Sequence, residues 1–102
     1  MSKKPSQQPK IEVVRICPEF SPKFREDLLW WARKNQQLWE RIWDLIESII
    51  TDPFSGIGKP EPLKHLGSNF WSRIIDQEHR LIYRVEKERI LFLQARFHYG
   101  DR

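Results

Sequence analysis

Near the middle of the chain a carboxylate stands between two prolines, Pro60-Glu61-Pro62, with Lys64 three residues on and His65 beside it. Proline restricts φ, so Glu61 leaves the backbone at a nearly fixed angle. A carboxylate held this way and followed by a cation can present a base beside a bound phosphate. Near the end of the chain stand Arg96, His98 and Tyr99, and between the two groups lie Arg73, Arg80 and Arg84. Together these are the parts needed to cleave RNA without a metal. The 2′-hydroxyl must lose a proton, the 5′-oxygen must gain one, and the phosphorane between them must have its charge neutralised. Glu or His serves as base, His as acid, Arg as a bidentate phosphate ligand, and an aromatic ring as a stacking surface for a splayed base. Singly, each residue has a plain structural use: Pro-Glu-Pro as a stiff exposed turn, His65 as a loop hydrogen-bonder, His79 as a solvated turn residue, His98 as an exposed strand residue. The His and Cys residues lack metal-ligand spacing, so no metal site is expected. Gly56-Ile57-Gly58-Lys59 is not a phosphate-binding loop, because it precedes no helix. No cofactor is expected.

Such residues need a scaffold, and 102 residues allow about one small domain. Lys and Arg number 18 against 14 Asp and Glu, a net charge of +4 that favours an anionic partner. No apolar run approaches the length of a membrane span, and no basic start followed by an apolar stretch marks a leader. The one cysteine, Cys17, allows no internal disulfide; it reads as a small core residue and favours a reducing compartment. Residues 1–10 are polar and read as a flexible tail, with residues 11–102 forming a single domain. Ile11–Cys17 is β-branched and reads as a strand closed by Pro18. Ser21-Pro22 predicts an N-cap with proline at the first helical position, and Phe24, Leu28 and Trp31 carry a helical stripe as far as Lys34. Asn35 reads as a break. A second helix follows with Leu38, Ile42, Leu45, Ile46 and Ile49 on one face and Trp39 and Trp43 beside it. That wide arc reads as packing against both the sheet and the first helix. Asp52-Pro53 ends it. Residues 53–69 hold three of the seven prolines and three of the four glycines and read as a long loop. Phe70–Ile75, Arg80–Val85 and Ile90–Tyr99 read as a β-meander. The order β-α-α-β-β-β predicts an α+β fold with two helices on one face of a mainly antiparallel sheet.

Alternation sorts the last two strands. Leu81, Tyr83 and Val85 share a face, as do Leu91, Leu93, Ala95, Phe97 and Tyr99. Pairing in which partner numbers sum to an even value puts these together under the helices. It gathers Arg80, Arg84, Arg96 and His98 on the other face, whereas the opposite parity mixes the sets. Arginines with a histidine and no acid among them invite an anion.

Gly58-Lys59-Pro60-Glu61-Pro62-Leu63-Lys64-His65-Leu66, Phe70-Trp71-Ser72-Arg73-Ile74, Glu78-His79-Arg80-Leu81-Ile82-Tyr83 and Ala95-Arg96-Phe97-His98-Tyr99 stand in one order and closely resemble the YoeB (Txe) family of the RelE superfamily. The resemblance covers roughly residues 11–99, with Trp31 and Ile42–Ile46 as its anchors in the helical half. It implies a RelE-like toxin of a type II toxin–antitoxin system. Such a toxin is a cytoplasmic, ribosome-dependent mRNA interferase that cuts mRNA in the A site and inhibits translation. A YefM-like antitoxin neutralises it, and the complex binds operator DNA to repress its own operon. By motif, Glu61 would be the general base, His98 the general acid, Arg80 the phosphate ligand, Lys64 an assistant and Tyr99 a substrate-positioning residue; the product would end in a 2′,3′-cyclic phosphate. Arg73, Arg84, Arg96 and His65 are candidate RNA contacts. A homodimer is compatible with the sequence. Three departures stand out: Ile74 replaces a second basic residue after Trp-Ser, Gly100-Asp101-Arg102 follows the His-Tyr pair, and the first ten residues have no counterpart. The alternative is a non-catalytic, ParE-like or degenerate toxin that acts by binding a protein or only as a co-repressor.

Overall fold

The computed structural model describes residues 16–97. The elements run β1 (Cys17–Phe20), α1 (Pro22–Lys34), α2 (Gln36–Thr51), β2 (Glu61–Pro62), a 3-10 turn (Lys64–Leu66), β3 (Phe70–Ile74), β4 (Arg80–Val85) and β5 (Arg89–Gln94). The five strands lie in the order β1-β5-β4-β3-β2. Only the β1–β5 pair is parallel. This is the expected α+β arrangement, with one small strand added inside the 53–69 loop.

Both helices start where their caps dictate. The Ser21 side chain accepts the Phe24 N–H at 3.0 Å, and Pro22 occupies a first-turn position that has no use for an N–H. Asn35 ends α1 by donating its N–H to the Trp31 carbonyl, then begins α2 by accepting the Leu38 N–H at 3.1 Å. The core joins Phe24 and Trp31 of α1 and Ile42, Leu45, Ile46 and Ile49 of α2 to Leu81, Tyr83, Ile90 and Phe92 of the sheet. Trp39 packs half-buried against this core as expected, whereas Trp43 departs from that packing. They meet edge to face at 6.2 Å and border a groove with Phe20, Leu28, Leu29 and Ala32, where Leu29 is 58% and Trp43 37% exposed.

Pro18 does not close the first strand; it sits inside β1. The N–H groups of Cys17 and Ser21 point at β5, donating to the carbonyls of Glu88 and Phe92. The position between Cys17 and Glu19 therefore faces away from the ladder, which is where an edge strand tolerates proline. Cys17 is exposed at the start of this edge and is not a core residue. Residues 11–15 and the 1–10 tail lie outside the described residues.

Only one end of the β4–β5 ladder keeps the expected even-sum pairing. Ile82 pairs with Gln94, in the expected parity, but Tyr83 pairs with Phe92, Arg84 with Leu91 and Val85 with Ile90. The shift lies between Ile82 and Tyr83 and leaves Leu93 as an extra residue on β5. Ile90-Leu91-Phe92-Leu93 is apolar at every position, so a period of two has no phase there. Ile90 and Phe92 enter the core, while Leu91 and Leu93 are half-buried outside it.

The loop after α2 is fastened rather than loose. Asp52 accepts the Phe54 N–H at 2.9 Å and the Ser55 hydroxyl at 2.8 Å. At Gly58 (φ 82°) a Cβ would lie 2.7 Å from Leu45 Cδ2, and the Gly58 carbonyl accepts the Ile74 N–H at 2.7 Å. These bonds to Phe54 and Ser55, helped by the nearby Arg73 charge, hold the Asp52 carboxyl below its ordinary range. Its folded value lies below its unfolded one. Its stabilising effect is therefore complete above about pH 4 and lost as pH falls through the depressed value. Hydrogen exchange followed down the acid limb should show residues 53–58 opening before α2. Asp52→Asn should remove that pH dependence.

Candidate active site

The sheet turns one face to the helices and leaves the other free of them. Glu61 pairs with Ser72, Ser72 with Ile82 and Ile82 with Gln94, so these four form one row across β2, β3, β4 and β5 on the face away from the helices. Arg80 and Arg84 lie two residues to either side of Ile82 on the same face. Strand spacing and rise put the Glu61 and Arg80 Cα atoms about 12 Å apart, within the joint reach of their side chains around a phosphate.

Glu61 is exposed and rigidly mounted. Its strand is anchored by Leu63, 3% exposed, whose N–H donates to the Phe70 carbonyl at 2.7 Å. The 3-10 turn that follows exposes Lys64 and His65 on the same rim. Arg80 is oriented by backbone: its Nη1 donates to the carbonyls of Asp76 at 2.7 Å and His79 at 3.1 Å, with Gln77 further off at 3.4 Å. Its Nε and Nη2 have no partner among the described residues and remain available to an anion. Arg84 lies with its guanidinium 5.3 Å from the Phe70 ring centroid and 3.3 Å from Glu86 Oε2.

Two other arginines go elsewhere. Arg96 does not join Arg80 and Arg84, because β5 leaves the ladder after Gln94. Its guanidinium stacks 3.9 Å from the Trp30 ring centroid of α1. Arg73 is fully buried on the helix side. Its Nε donates to the Tyr83 hydroxyl at 3.0 Å, its Nη1 to Ser48 Oγ and the Ile57 carbonyl, and its Nη2 to the carbonyls of Asp52 and Ser55. An arginine has five N–H donors, so none is left for a phosphate. The expectation that Arg73 contacts RNA is corrected: alternation on β3 places it opposite Ser72 and Ile74. His98 and Tyr99 lie outside the described residues.

Residues 20–99 match the family model for the YoeB-like toxin of bacterial type II toxin–antitoxin systems. The YoeB toxin of Mycobacterium bovis is 50% identical over 80 residues, covering 78% of this chain and 94% of the relative. Among solved structures, the YoeB/ParE toxin from Agrobacterium tumefaciens superposes with a TM-score of 0.78 at 40% identity, covering 82% of this chain and all of the other. The chain belongs to the YoeB toxin family. It is thus a type II toxin–antitoxin toxin, and its sheet and helices have the RelE-like arrangement. The YoeB dimer of Staphylococcus aureus superposes with a TM-score of 0.76 at 35% identity, covering 83% of this chain and 99% of that one. The heterotetrameric YoeB–YefM complex of the same organism gives 0.72 at 36%, with the same coverage.

In this YoeB-family chain one residue near the site escaped sequence reasoning. His79 reads as a solvated turn residue, yet it is 8% exposed and its Nδ1 accepts the Phe97 N–H at 2.6 Å. The available signal was its place directly before Arg80 in a motif shared with the family. Among the described residues no group of His, Cys, Asp or Glu could hold a metal ion, and no helix is long and apolar enough to cross a membrane.

Proposed function

We propose that this YoeB-family toxin is a ribosome-dependent endoribonuclease that cuts mRNA in the A site. Glu61 takes the proton of the 2′-hydroxyl, that oxygen attacks the adjacent phosphate, and His98 protonates the departing 5′-oxygen. The cut leaves a 2′,3′-cyclic phosphate. Arg80 binds the phosphorane oxygens, Lys64 adds positive charge at the rim, and Tyr99 positions the nucleotide. Arg84, Arg96 and His65 contact RNA away from the scissile bond. Base, acid and counter-charge all come from side chains, so the reaction needs no metal.

The observation that carries this reading is that Glu61 and Arg80 share the sheet face turned away from the helices, Glu61 exposed at its edge. There the carboxylate is mounted between prolines, and the guanidinium is oriented by backbone carbonyls with donors to spare. Groups oriented before substrate arrives need no reorganisation in the transition state. Mapping mRNA 5′ ends after expression tests it: cuts within translated codons that vanish when translation initiation is blocked are expected. Cuts that persist without translation, or no cuts, overturn it.

Arg80→Ala should lower both cleavage and affinity for programmed ribosomes. Loss of one phosphate contact should reduce the slope of log affinity against log salt by about one. Unchanged cleavage and slope would remove Arg80 from the site.

The partners follow from the same reading. A YefM-like antitoxin binds and silences the toxin in the cytoplasm, as the S. aureus complex suggests by likeness. The complex represses its operon through operator DNA, and the free toxin pairs with itself as in the S. aureus dimer.

A further inference from the structure

The three residues before His98 are held at many points. The Ala95 N–H donates to Oδ2 of the buried Asp27 at 2.8 Å, and the Ala95 carbonyl accepts Trp31 Nε1–H at 2.7 Å. The Arg96 carbonyl accepts Gln94 Nε2–H at 3.0 Å. The Phe97 N–H donates to His79 Nδ1 at 2.6 Å, and the Phe97 carbonyl accepts the Arg80 N–H at 3.0 Å. Phe97 itself has φ 60°, a left-handed conformation disfavoured for a bulky side chain. Such strain persists only where the surroundings over-determine it, and it clusters at functional sites.

We propose that His79 is a positioning residue of the active site, holding the backbone that delivers His98 to the scissile phosphate; this rests on the nuclease reading above. Accepting at Nδ1 requires that nitrogen to be unprotonated, so the ring proton resides on Nε2, which faces Glu78 Oε1 at 3.8 Å. The ring cannot swing. Trp31 meets it edge-on at 5.0 Å, Phe97 covers it at 5.3 Å, and the His79 N–H is tied to Asp76 Oδ1 at 2.7 Å. The His79 carbonyl also accepts Arg80 Nη1–H at 3.1 Å. One residue therefore touches both the phosphate-binding guanidinium and the chain leading to the general acid. It fixes the two relative to each other, and their separation must match the distance from a phosphate oxygen to the leaving 5′-oxygen. A displacement of about 1 Å in such a geometry costs on the order of 10²-fold in rate.

The test compares three substitutions in the full-length chain. His79→Asn keeps an acceptor near the Nδ1 position, His79→Gln carries the same amide one carbon further out, and His79→Leu has no acceptor. Cleavage is measured as a single turnover on mRNA-programmed ribosomes. His79→Gln and His79→Leu should lose roughly 10- to 100-fold in the rate constant, with half-saturation by ribosomes unchanged, and His79→Asn should recover most of it. The His98 imidazole NMR signals should move in the Gln and Leu variants and stay in place in Asn. Equal rates for Asn and Gln overturn the proposal, as do rates that fall only in step with thermal midpoint across all three, which would make His79 a core residue and no more. If the unsubstituted chain cuts no mRNA, the nuclease reading fails on its own. The His98 signals then decide the role of His79, and signals unmoved in His79→Gln overturn it.

Discussion

Glu61→Ala and His98→Gln are each expected to stop mRNA cleavage and relieve growth arrest while leaving antitoxin binding intact. Removing a general base or acid costs about 10²–10⁴-fold in rate, the largest functional effect expected of any single substitution in this chain. The geometry explains why binding should survive. Glu61 is exposed on a two-residue edge strand. No described hydrogen bond or ion pair of its side chain helps hold the fold, because the strand is anchored by its backbone and by Leu63. Glu61→Gln makes the sharper probe, since it keeps shape and polarity and removes only the basicity. A quenched-flow comparison should show its single-turnover rate down by a similar factor with ribosome affinity unchanged. Cleavage undiminished in either Glu61→Gln or His98→Gln would exclude that residue from proton transfer.

How much of this could be read from the chain depended on whether a local signal had a unique phase. The helices were legible because Ser21-Pro22 and Asn35 are caps with one interpretation, and because Leu38, Ile42, Leu45 and Ile49 recur at a helical period. The β4–β5 register was only half legible. Arg80, Ile82 and Arg84 alternate with apolar neighbours, but Ile90–Leu93 does not alternate, and a one-residue bulge costs too little to leave a mark in the sequence. Arg96 was misplaced as a result, since alternation carried past Gln94 assumes a strand that the bonds of Asp27, Trp31 and His79 have already turned aside. The sequence conceals the burial of His79 for a related reason. Its burial comes from Trp31 of α1 and Phe97 packing over a turn, a tertiary contact that no window of neighbouring residues contains. Glu61 was legible because proline acts through local sterics alone.

Arg73 marks the other limit, and the second large expected effect follows from it. A basic residue on a strand of a basic protein reads as a nucleic-acid contact. Arg73 instead gathers three loop carbonyls, the Ser48 hydroxyl and the Tyr83 hydroxyl from a fully buried position. Tyr83 passes the connection on by donating its hydroxyl to the Pro53 carbonyl at 2.6 Å. Burial pushes the Tyr83 phenol above its ordinary range, partly opposed by the Arg73 bond, so the hydroxyl stays protonated and able to donate. The guanidinium thus ties the 52–57 loop to α2 and β4, on the route by which the chain leaves α2 to reach Glu61. Arg73→Ala strips five bonds at once and leaves buried acceptors without donors, at roughly 3–5 kcal/mol. For a domain of this size that lowers the thermal midpoint by about 12 °C or more. Arg73→Lys keeps the charge but has a compact three-donor head in place of a planar five-donor fork, so it should recover less than half of the loss. Tyr83→Phe should cost about 1–2 kcal/mol, and with Arg73→Ala it should be less than additive, because the two share a bond. Thermal melts of the four proteins, with cleavage measured well below every midpoint, separate the roles. A structural Arg73 gives midpoints that fall from Tyr83→Phe through Arg73→Lys and Arg73→Ala to the double substitution, and a salt dependence of ribosome binding equal to that of the parent chain. A normal melt with a reduced salt slope would return Arg73 to the RNA-binding surface.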